Sequence, residues 1–262
     1  MTYQSLLVVR DGAVATVTLN RPTVRNAFND TLIAELTRWA VQAATDSTLR
    51  CVVLAGAGSH FCAGADLAWM AKAAAFSREE NVQDADAAST MLAAIDNLPM
   101  AVIGRVHGGA SGGGCGLAAV CDAVVATDDT VFGFTETKLG LVAAVISPYV
   151  TRKIGYSAAR HLMVTGARFS AEHAKDIGLV HAVVAPDELD TRVSQYVREC
   201  LTSAPGAIAA TKSLLHDVAG RSPEEVRRVT TTTLADRRAS AEGQHGVRAF
   251  LDKQRPSWQL VP

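Results

Sequence analysis

The sequence predicts an α/β fold with a largely parallel, buried sheet. Three observations lead to this prediction. Short apolar or β-branched runs, as at 51–55, 101–103 and 123–126, alternate with segments of helical spacing. Glycine-rich turns follow two of these runs directly. Such β-α-β alternation implies right-handed crossovers and strands that are buried on both faces.

Composition fits one large folded domain, or one with a small appendage, and excludes several classes of function. The 262 residues are 48% apolar and can bury a large core. The net charge of −1 gives no electrostatic reason to expect binding to nucleic acid or to an anionic membrane. The five cysteines are odd in number and mostly lie in apolar or Gly/Ala contexts, which is typical of buried thiols in a reducing compartment. They form no C-x-x-C pair, which argues against a structural metal. Neither a signal peptide nor an apolar run of membrane length is present, so we expect a cytoplasmic protein.

The first hundred residues divide into a hairpin, a helix, a strand and a second helical region. The predicted elements are a β-hairpin of 6–9 and 14–19 around Asp11-Gly12, a helix over 31–44 capped by Asn29-Asp30, a strand over 51–55, and a helix over 90–98 that Pro99 ends. Residues 71–90 combine alanines with mixed charge and weak apolar patterning, which predicts a mobile or lid-like segment.

From Ser147 onward the pattern is helical. Helices are predicted over 148–154, 157–165, 171–177, 187–201, 205–218, 223–238 and 242–253. We divide the chain into a core of residues 1–200 and a helical region of residues 201–262. The charged, amphipathic helices of the second region predict packing on a neighbouring subunit.

A glycine-rich stretch lies at the centre of the chain. The strand-like run at 101–103 leads into five glycines among residues 108–114, and an apolar run follows at 117–120. A glycine turn that opens a helix leaves N–H groups unpaired at the positive end of the helix dipole, which makes an anion site. The anion is either a phosphate or the oxyanion of a reacting carbonyl, and close helix–strand packing is an equal alternative. A P-loop is excluded because no lysine follows the glycines.

A second turn of the same kind follows the strand at 51–55. There the small residues Ala63, Gly64 and Ala65 come just before a helical pattern that has Asp66 in its first turn. Two strand-to-helix turns, each offering a backbone N–H, are what an oxyanion hole with two donors requires. The pair of turns therefore favours a reacting carbonyl as the ligand.

At these motifs the sequence resembles the enoyl-CoA hydratase/isomerase (crotonase) family. The matching residues follow the family order through nearly the whole chain: Asn20-Arg21-Pro22, Asn26-Ala27, 61–67, 112–115, Cys121-Asp122, Phe132-Gly133, Glu136, Leu139-Gly140, Thr165-Gly166, Ala171, Ala174 and 178–180. The resemblance implies a spiral of β-β-α units with a C-terminal helical trimerisation region. It also implies an acyl-CoA thioester as substrate and no separate cofactor, because coenzyme A is part of the substrate.

The resemblance further implies which groups are catalytic. The backbone N–H groups of Ala65 and Gly113 hold the thioester oxygen as an enolate forms, and Glu136 is the acid or base. Typical hydratases carry another Glu three residues after the oxyanion glycine, where this chain has Gly116. By residue type alone, Glu136 is instead a surface residue paired with Lys138 or with the helix over 148–154. Burial in an apolar pocket would raise its pKa and suit it to proton transfer.

A single carboxylate permits two reactions. In hydration, Glu136 takes a proton from water and returns one to Cα; in isomerisation it moves a proton between two carbons. The residues from Lys138 to Val150 resemble a bacterial branch associated with methylglutaconyl-CoA or carboxygeranoyl-type hydratases, in which glycine is usual at Gly116; that branch has Pro in place of Ala143. We expect a hydratase for an α,β-unsaturated acyl-CoA, and the room at Gly116 predicts a branched or carboxylated acyl group. The alternatives are a Δ3,Δ2-enoyl-CoA isomerase and a non-catalytic acyl-CoA-binding protein.

Recognition of coenzyme A is implied at two places. The turn after the 51–55 strand matches backbone that reads the adenine edge, and a neighbouring arginine matches a cation near the phosphates. A C-terminal pair matches residues that reach the coenzyme of a neighbour, which predicts a homotrimer or a dimer of trimers. The candidates are Arg25, Ala27, Ala63, Asp66 and Leu67 in the core, and Phe250 and Lys253 near the C-terminus. For Arg25 and Lys253 a solvated surface position is an equal alternative.

Overall fold

The computed structural model describes residues 3–259, which contain one large and one small sheet. The strands are β1 (Leu6–Asp11), β2 (Val14–Leu19), β3 (Cys51–Gly56), β4 (Ala101–Val106), β5 (Gly109–Ser111), β6 (Ala123–Thr127), β7 (Val131–Gly133), β8 (Arg168–Ser170) and β9 (Ala182–Val184). The large sheet has the order β1-β2-β3-β4-β6-β9 and is parallel except for the β1–β2 hairpin. In the small sheet, β7 pairs in parallel with β5 and antiparallel with β8.

Helices complete the β-β-α units. They are α1 (Asp30–Ala43), α2 (Leu67–Ala73), α3 (Arg78–Asp96), α4 (Gly113–Val120), α5 (Ser147–Thr165), α6 (Ala171–Asp176), α7 (Leu189–Thr202), α8 (Pro205–Val218), α9 (Pro223–Ala239) and α10 (Ala241–Leu251), with short 3-10 helices at Pro22–Val24, Glu136–Leu139 and Pro186–Glu188. The chain order is β4-β5-α4 and then β6-β7-α5, so each of these helices follows one strand of the large sheet and one strand of the small sheet. This order confirms the predicted spiral.

Strand β3 shows why the sheet carries continuous apolar runs. All six of its residues are buried. Val52 and Leu54 join the main core with α1, α3 and α4, whereas Cys51 and Val53 lie on the opposite face with residues of α7. Alternate side chains of a strand point to opposite faces, so a strand covered on both sides must be apolar throughout.

Residues 71–90 are largely helical, so the predicted helix start at Thr90 is wrong, whereas the mobility of the segment stays a prediction. Helix α3 begins at Arg78, far ahead of the predicted start at Thr90. Ser77 and Glu80 form a capping box, in which each backbone N–H donates to the other residue's side chain at 2.7 and 3.2 Å. Most of the first half of the helix is exposed and therefore shows no apolar stripe; its buried anchors, such as Met91, lie in the second half.

The prediction of an entirely helical pattern after Ser147 is also wrong, because β8 and β9 lie within that region. Strand β9 pairs with β6 and completes the large sheet, while Phe169 of β8 stacks on Phe132 with ring centroids 5.7 Å apart. Strands of three residues are too short to show a period of two. The two helices predicted over 148–165 are the halves of α5, which Gly155 interrupts with a φ of +77°.

The last three helices pack on one another and are tied to the core by cations. Helix α9 packs on both α8 and α10. Arg50 donates to the carbonyl of Trp258 at 3.1 Å, and Lys212 of α8 pairs with Asp122 at 2.7 Å. Within residues 3–259, no helix is long and apolar enough to cross a bilayer, and no three His, Cys, Asp or Glu side chains are grouped to hold a metal ion.

Candidate active site

Three parallel chain segments end side by side at one edge of the small sheet. Cys62 pairs with Ala110 of β5 in a parallel bridge, and β5 runs parallel to β7. Parallel strands have their carboxyl ends at the same edge, which is where ligand sites form in α/β proteins. The turns that follow these segments contain Ala65, Gly113 and Glu136 respectively. The fold thus brings the three predicted catalytic residues together.

Glycines let the first two turns approach closely. Gly64 has a φ of +91°, and a Cβ on it would lie 2.7 Å from the carbonyl oxygen of Ser111. A Cβ on Gly114 would overlap the carbonyl oxygen of Cys62. No other residue fits at either position without moving backbone. This approach sets Ala65 beside the start of α4.

Both predicted oxyanion donors are free. Phe28 forms a parallel bridge with Ala65 through the Gly64 carbonyl, at 2.6 Å, and the Asp66 N–H, at 2.9 Å. The N–H of Ala65 therefore points away from Phe28, and it has no hydrogen-bond partner among residues 3–259. Gly113 opens α4 and its N–H is likewise unpaired within those residues, as expected for the first turn of a helix.

The Glu136 carboxylate lies over Gly112, the residue that precedes the second donor. Its Oε1 would be 2.9 Å from a Cβ on Gly112, whose φ is +50°. Its Oε2 is buried without a hydrogen-bond partner among the described residues. Burial raises the pKa of Glu136 above its ordinary value, as predicted for an apolar pocket. Lys138 packs against Gly166, so the alternative of a surface pair with Lys138 is not what the chain adopts.

The space above Gly116 is filled, contrary to the sequence prediction. A Cβ on Gly116 would overlap Cγ2 of Ile146 and lie 3.0 Å from its Cβ. Ile146 is buried, and Leu92 of α3 approaches the same position at 3.8 Å. The prediction that Gly116 leaves room for a branched acyl group is therefore wrong in its physical basis. Nothing in the sequence pairs Ile146 with Gly116, because the contact joins residues that are distant along the chain.

The carboxylate of Asp66 is hydrogen-bonded to groups of the protein itself. Its carboxylate accepts hydrogen bonds from the backbone N–H of Ala68 and from Nη2 of Arg21, both at 2.8 Å. Burial alone would raise the pKa of Asp66, but these bonds outweigh it and lower that pKa. The other η-nitrogen of Arg21 donates to the Ala27 carbonyl. Asp66 thus caps α2 and fixes the turn, and its side chain is not free for a ligand.

The turn at 21–28 is held against the turn at 57–67. The Arg25 carbonyl accepts the N–H of Ala63 at 2.9 Å, and the Arg25 side chain is exposed. Asn26 is fully buried with a φ of +57°, and its amide donates to the carbonyls of Ala57 and His60 at 2.8 and 2.7 Å. The sequence motif contained Asn26 but gave it no role. The predicted core contacts lie in this pair of turns: Arg25, Ala27, Ala63, Asp66 and Leu67.

The two C-terminal candidates lie at the end of α10. Phe250 is 82% exposed, and Lys253 follows with a φ of +53° and an exposed side chain. Among residues 3–259, the Lys253 side chain forms no hydrogen bond or ion pair with the catalytic turns. The role of both candidates stays a prediction.

Comparison with known proteins agrees with this arrangement. Residues 10–260 match the family model described as enoyl-CoA hydratase/isomerase. The 2,3-dehydroadipyl-CoA hydratase of Escherichia coli is 32% identical, with 97% of this chain and 98% of the relative covered. A solved enoyl-CoA hydratase of Mycobacterium smegmatis superposes with a TM-score of 0.92 at 38% identity, covering 97% of this chain and 99% of its own.

An enoyl-CoA hydratase of Shewanella pealeana superposes with a TM-score of 0.94 at 34% identity, covering 97% of this chain and 96% of its own. These likenesses extend over nearly the whole chain and therefore include the three turns of the candidate site. The chain belongs to the enoyl-CoA hydratase/isomerase family.

Proposed function

We propose that this protein is an enoyl-CoA hydratase, which adds water across the double bond of an α,β-unsaturated acyl-CoA. The observation that carries the proposal is the buried Oε2 of Glu136, which has no hydrogen-bond partner within residues 3–259, near two backbone N–H groups that are unpaired within the same residues. An unpaired buried carboxylate destabilises a fold, so its presence calls for a chemical reason. The alternative of a non-catalytic acyl-CoA-binding protein supplies no such reason.

The proposed mechanism uses the three groups together. Glu136 accepts a proton from water while the water oxygen bonds to C3 of the acyl group. The electron pair of the double bond moves onto the thioester oxygen, where the N–H groups of Ala65 and Gly113 hold the enolate. Each such donor contributes about two to three powers of ten in rate. Glu136 then gives its proton to C2, which completes the addition of water.

The raised pKa of Glu136 suits both proton transfers. A carboxylate of ordinary pKa is a weak base towards water and a poor proton source at neutral pH. Burial destabilises the ionised form, so the carboxylate becomes a stronger base towards water, and a larger share of the group holds a proton near neutral pH. No second carboxylate is required if water adds on the face that Glu136 covers.

The second candidate is a Δ3,Δ2-enoyl-CoA isomerase. The observation that favours it is the apolar side chain of Ile146 where a second carboxylate would stand. Glu136 would remove a proton from C2 and return it to C4, through a dienolate whose oxygen is held by the same two N–H groups. The names of the three relatives described above favour hydration.

We further propose that coenzyme A enters along the two facing turns, as part of the substrate and with no separate cofactor. The exposed guanidinium of Arg25 is available to a phosphate. Ala27, Ala63, Asp66 and Leu67 contribute backbone and apolar contact in this proposal, because the Asp66 carboxylate is already bonded.

A homotrimer or a dimer of trimers is part of the proposal. Phe250, 82% exposed, lies on α10 with the exposed apolar residues Val247 and Leu251, which supports cover by another subunit. Phe250 and Lys253 would then reach the coenzyme bound to a neighbour. Sedimentation of a fully active monomer would contradict this assembly. The division at residue 200 and a cytoplasmic location stay predictions.

The proposed function is tested with the purified protein and two substrates. Crotonyl-CoA reports hydration, and 3-hexenoyl-CoA reports movement of the double bond. We expect turnover of crotonyl-CoA to exceed isomerisation of 3-hexenoyl-CoA. The opposite preference would support the isomerase, and binding of both esters without turnover would support the non-catalytic alternative.

A further inference from the structure

Two glycines on one face of α4 are covered by two side chains from the same segment. Gly112 caps the N-terminus of α4, and its carbonyl accepts the N–H of Gly116 at 3.1 Å. Glu136 covers Gly112, and Ile146 covers Gly116. Glu136 and Ile146 therefore cover neighbouring positions at the start of this helix.

The space beside Glu136 is apolar and closed on this side. Ile146 is 5% exposed and Leu92 of α3 is 1% exposed, and both approach the position of a Gly116 Cβ. Ile146 directly precedes α5, and its carbonyl accepts the N–H of Val150 at 3.0 Å. Its backbone is therefore fixed by the helix, and its side chain can leave this position only by changing rotamer against closely packed neighbours.

A bound acyl group must lie close to the side chains of Ile146 and Leu92. Its carbonyl oxygen has to reach the N–H groups of Ala65 and Gly113, and its reacting carbons have to lie within reach of Glu136. A substituent on C3 that points along α4 would enter the volume that Ile146 fills. Protein interiors are close-packed and do not yield a methyl-sized space at no cost.

We propose that Ile146 is the specificity-determining residue for the acyl group, selecting chains that are unbranched at C3. This inference rests on the proposed use of an acyl-CoA at the Glu136 site. An unbranched substrate replaces the branched one that the glycine at position 116 suggests when the sequence is considered alone. The E. coli relative, named for 2,3-dehydroadipyl-CoA, acts on an unbranched chain by that name.

The test compares crotonyl-CoA with 3-methylcrotonyl-CoA in the wild type, Ile146→Val and Ile146→Ala. The matched control is Ile154→Ala, a buried residue of the same type on α5 that packs in the main core. One methyl-sized difference in an apolar pocket changes kcat/KM by about 10- to 200-fold. We expect the wild type to prefer crotonyl-CoA. The ratio of branched to linear kcat/KM should rise at least about tenfold in Ile146→Ala, less in Ile146→Val, and not in Ile154→Ala.

Failure of the inference is distinguishable from failure of the proposed function. If the wild type turns over neither ester, the proposed function is wrong. The inference is then tested by calorimetry, which gives the dissociation constants of the two esters and hence the preference for the branched over the linear chain. An unchanged ratio in both Ile146 variants, or a wild-type preference for the branched ester, would overturn the inference. Ile146→Val removes only one methyl group and keeps the test valid if Ile146→Ala does not fold.

Discussion

Gly112→Ala tests whether the position of the Glu136 carboxylate governs catalysis. The new Cβ would lie 2.9 Å from Oε1 of Glu136, closer than unbonded atoms settle, and 3.5 Å from Cδ, which is an ordinary contact. The carboxylate must therefore shift by several tenths of an ångström or more. A misplacement of about 1 Å at a catalytic group costs about 10²-fold in rate. We expect a fall in kcat/KM of that order.

Backbone strain has to be separated from this effect. Gly112 has a φ of +50° and a ψ of −117°, a sparsely populated conformation outside the left-handed helical region that costs an alanine about 1–3 kcal/mol. Gly12 has a φ of +54° and nothing within 4 Å of its Cβ position, so Gly12→Ala places a Cβ at a positive φ without the contact.

The assay combines kcat/KM on crotonyl-CoA with urea unfolding of both variants. Each should lose about 1–3 kcal/mol of unfolding free energy, and only Gly112→Ala should lose activity. A folded Gly112→Ala protein with wild-type kcat/KM would refute the reasoning.

Three further predictions concern stability. Burial raises the pKa of Glu136, so the folded state binds the carboxyl proton more tightly than the unfolded state does. The free energy of unfolding therefore falls as the pH rises from the unfolded-state pKa of this group through its folded-state pKa. Glu136→Gln should therefore unfold at a higher temperature than the wild type at neutral pH and at the same temperature near pH 3; equal melting temperatures at both pH values would contradict this. Ser77→Ala removes the cap of α3 and should cost about 1 kcal/mol without changing kcat, as thermal unfolding and kinetics will show, and a loss of activity at full stability would instead mark a lid. Gly116→Ala should cost about 1–3 kcal/mol by overpacking against Ile146, and Ile146→Ala should relieve part of that cost in the double variant. If the costs of the two single substitutions simply add in the double variant, the contact between positions 116 and 146 is ruled out.

The sequence predicts the large parallel sheet because its signals are local. Buried strands such as β3 are unbroken apolar runs, and the turns that follow two of the strands contain the glycines that the close approach requires. The helix cap at Asn29 also has a local partner. Ala65, Gly113 and Glu136 could be named in advance because the motifs around them are contiguous.

The features that sequence reasoning missed depend on contacts between distant segments or on very short elements. Strand β9 exists because β6 offers an edge to pair with, which no three-residue pattern reveals. Ile146 fills the space above Gly116 through a loop that has no period. The early start of α3 is a different case, because Ser77-x-x-Glu80 is a readable capping signal that the weak apolar pattern obscured.

The central claim is that the buried carboxylate of Glu136 transfers the protons of the reaction, and Glu136→Gln tests it most directly. The amide keeps the shape of the side chain and loses its acid–base function. We predict that kcat for hydration of crotonyl-CoA falls by about 10²–10⁴-fold, while the dissociation constant of a saturated acyl-CoA changes by less than about threefold. A variant that binds the ester and hydrates crotonyl-CoA at the wild-type rate would contradict the claim.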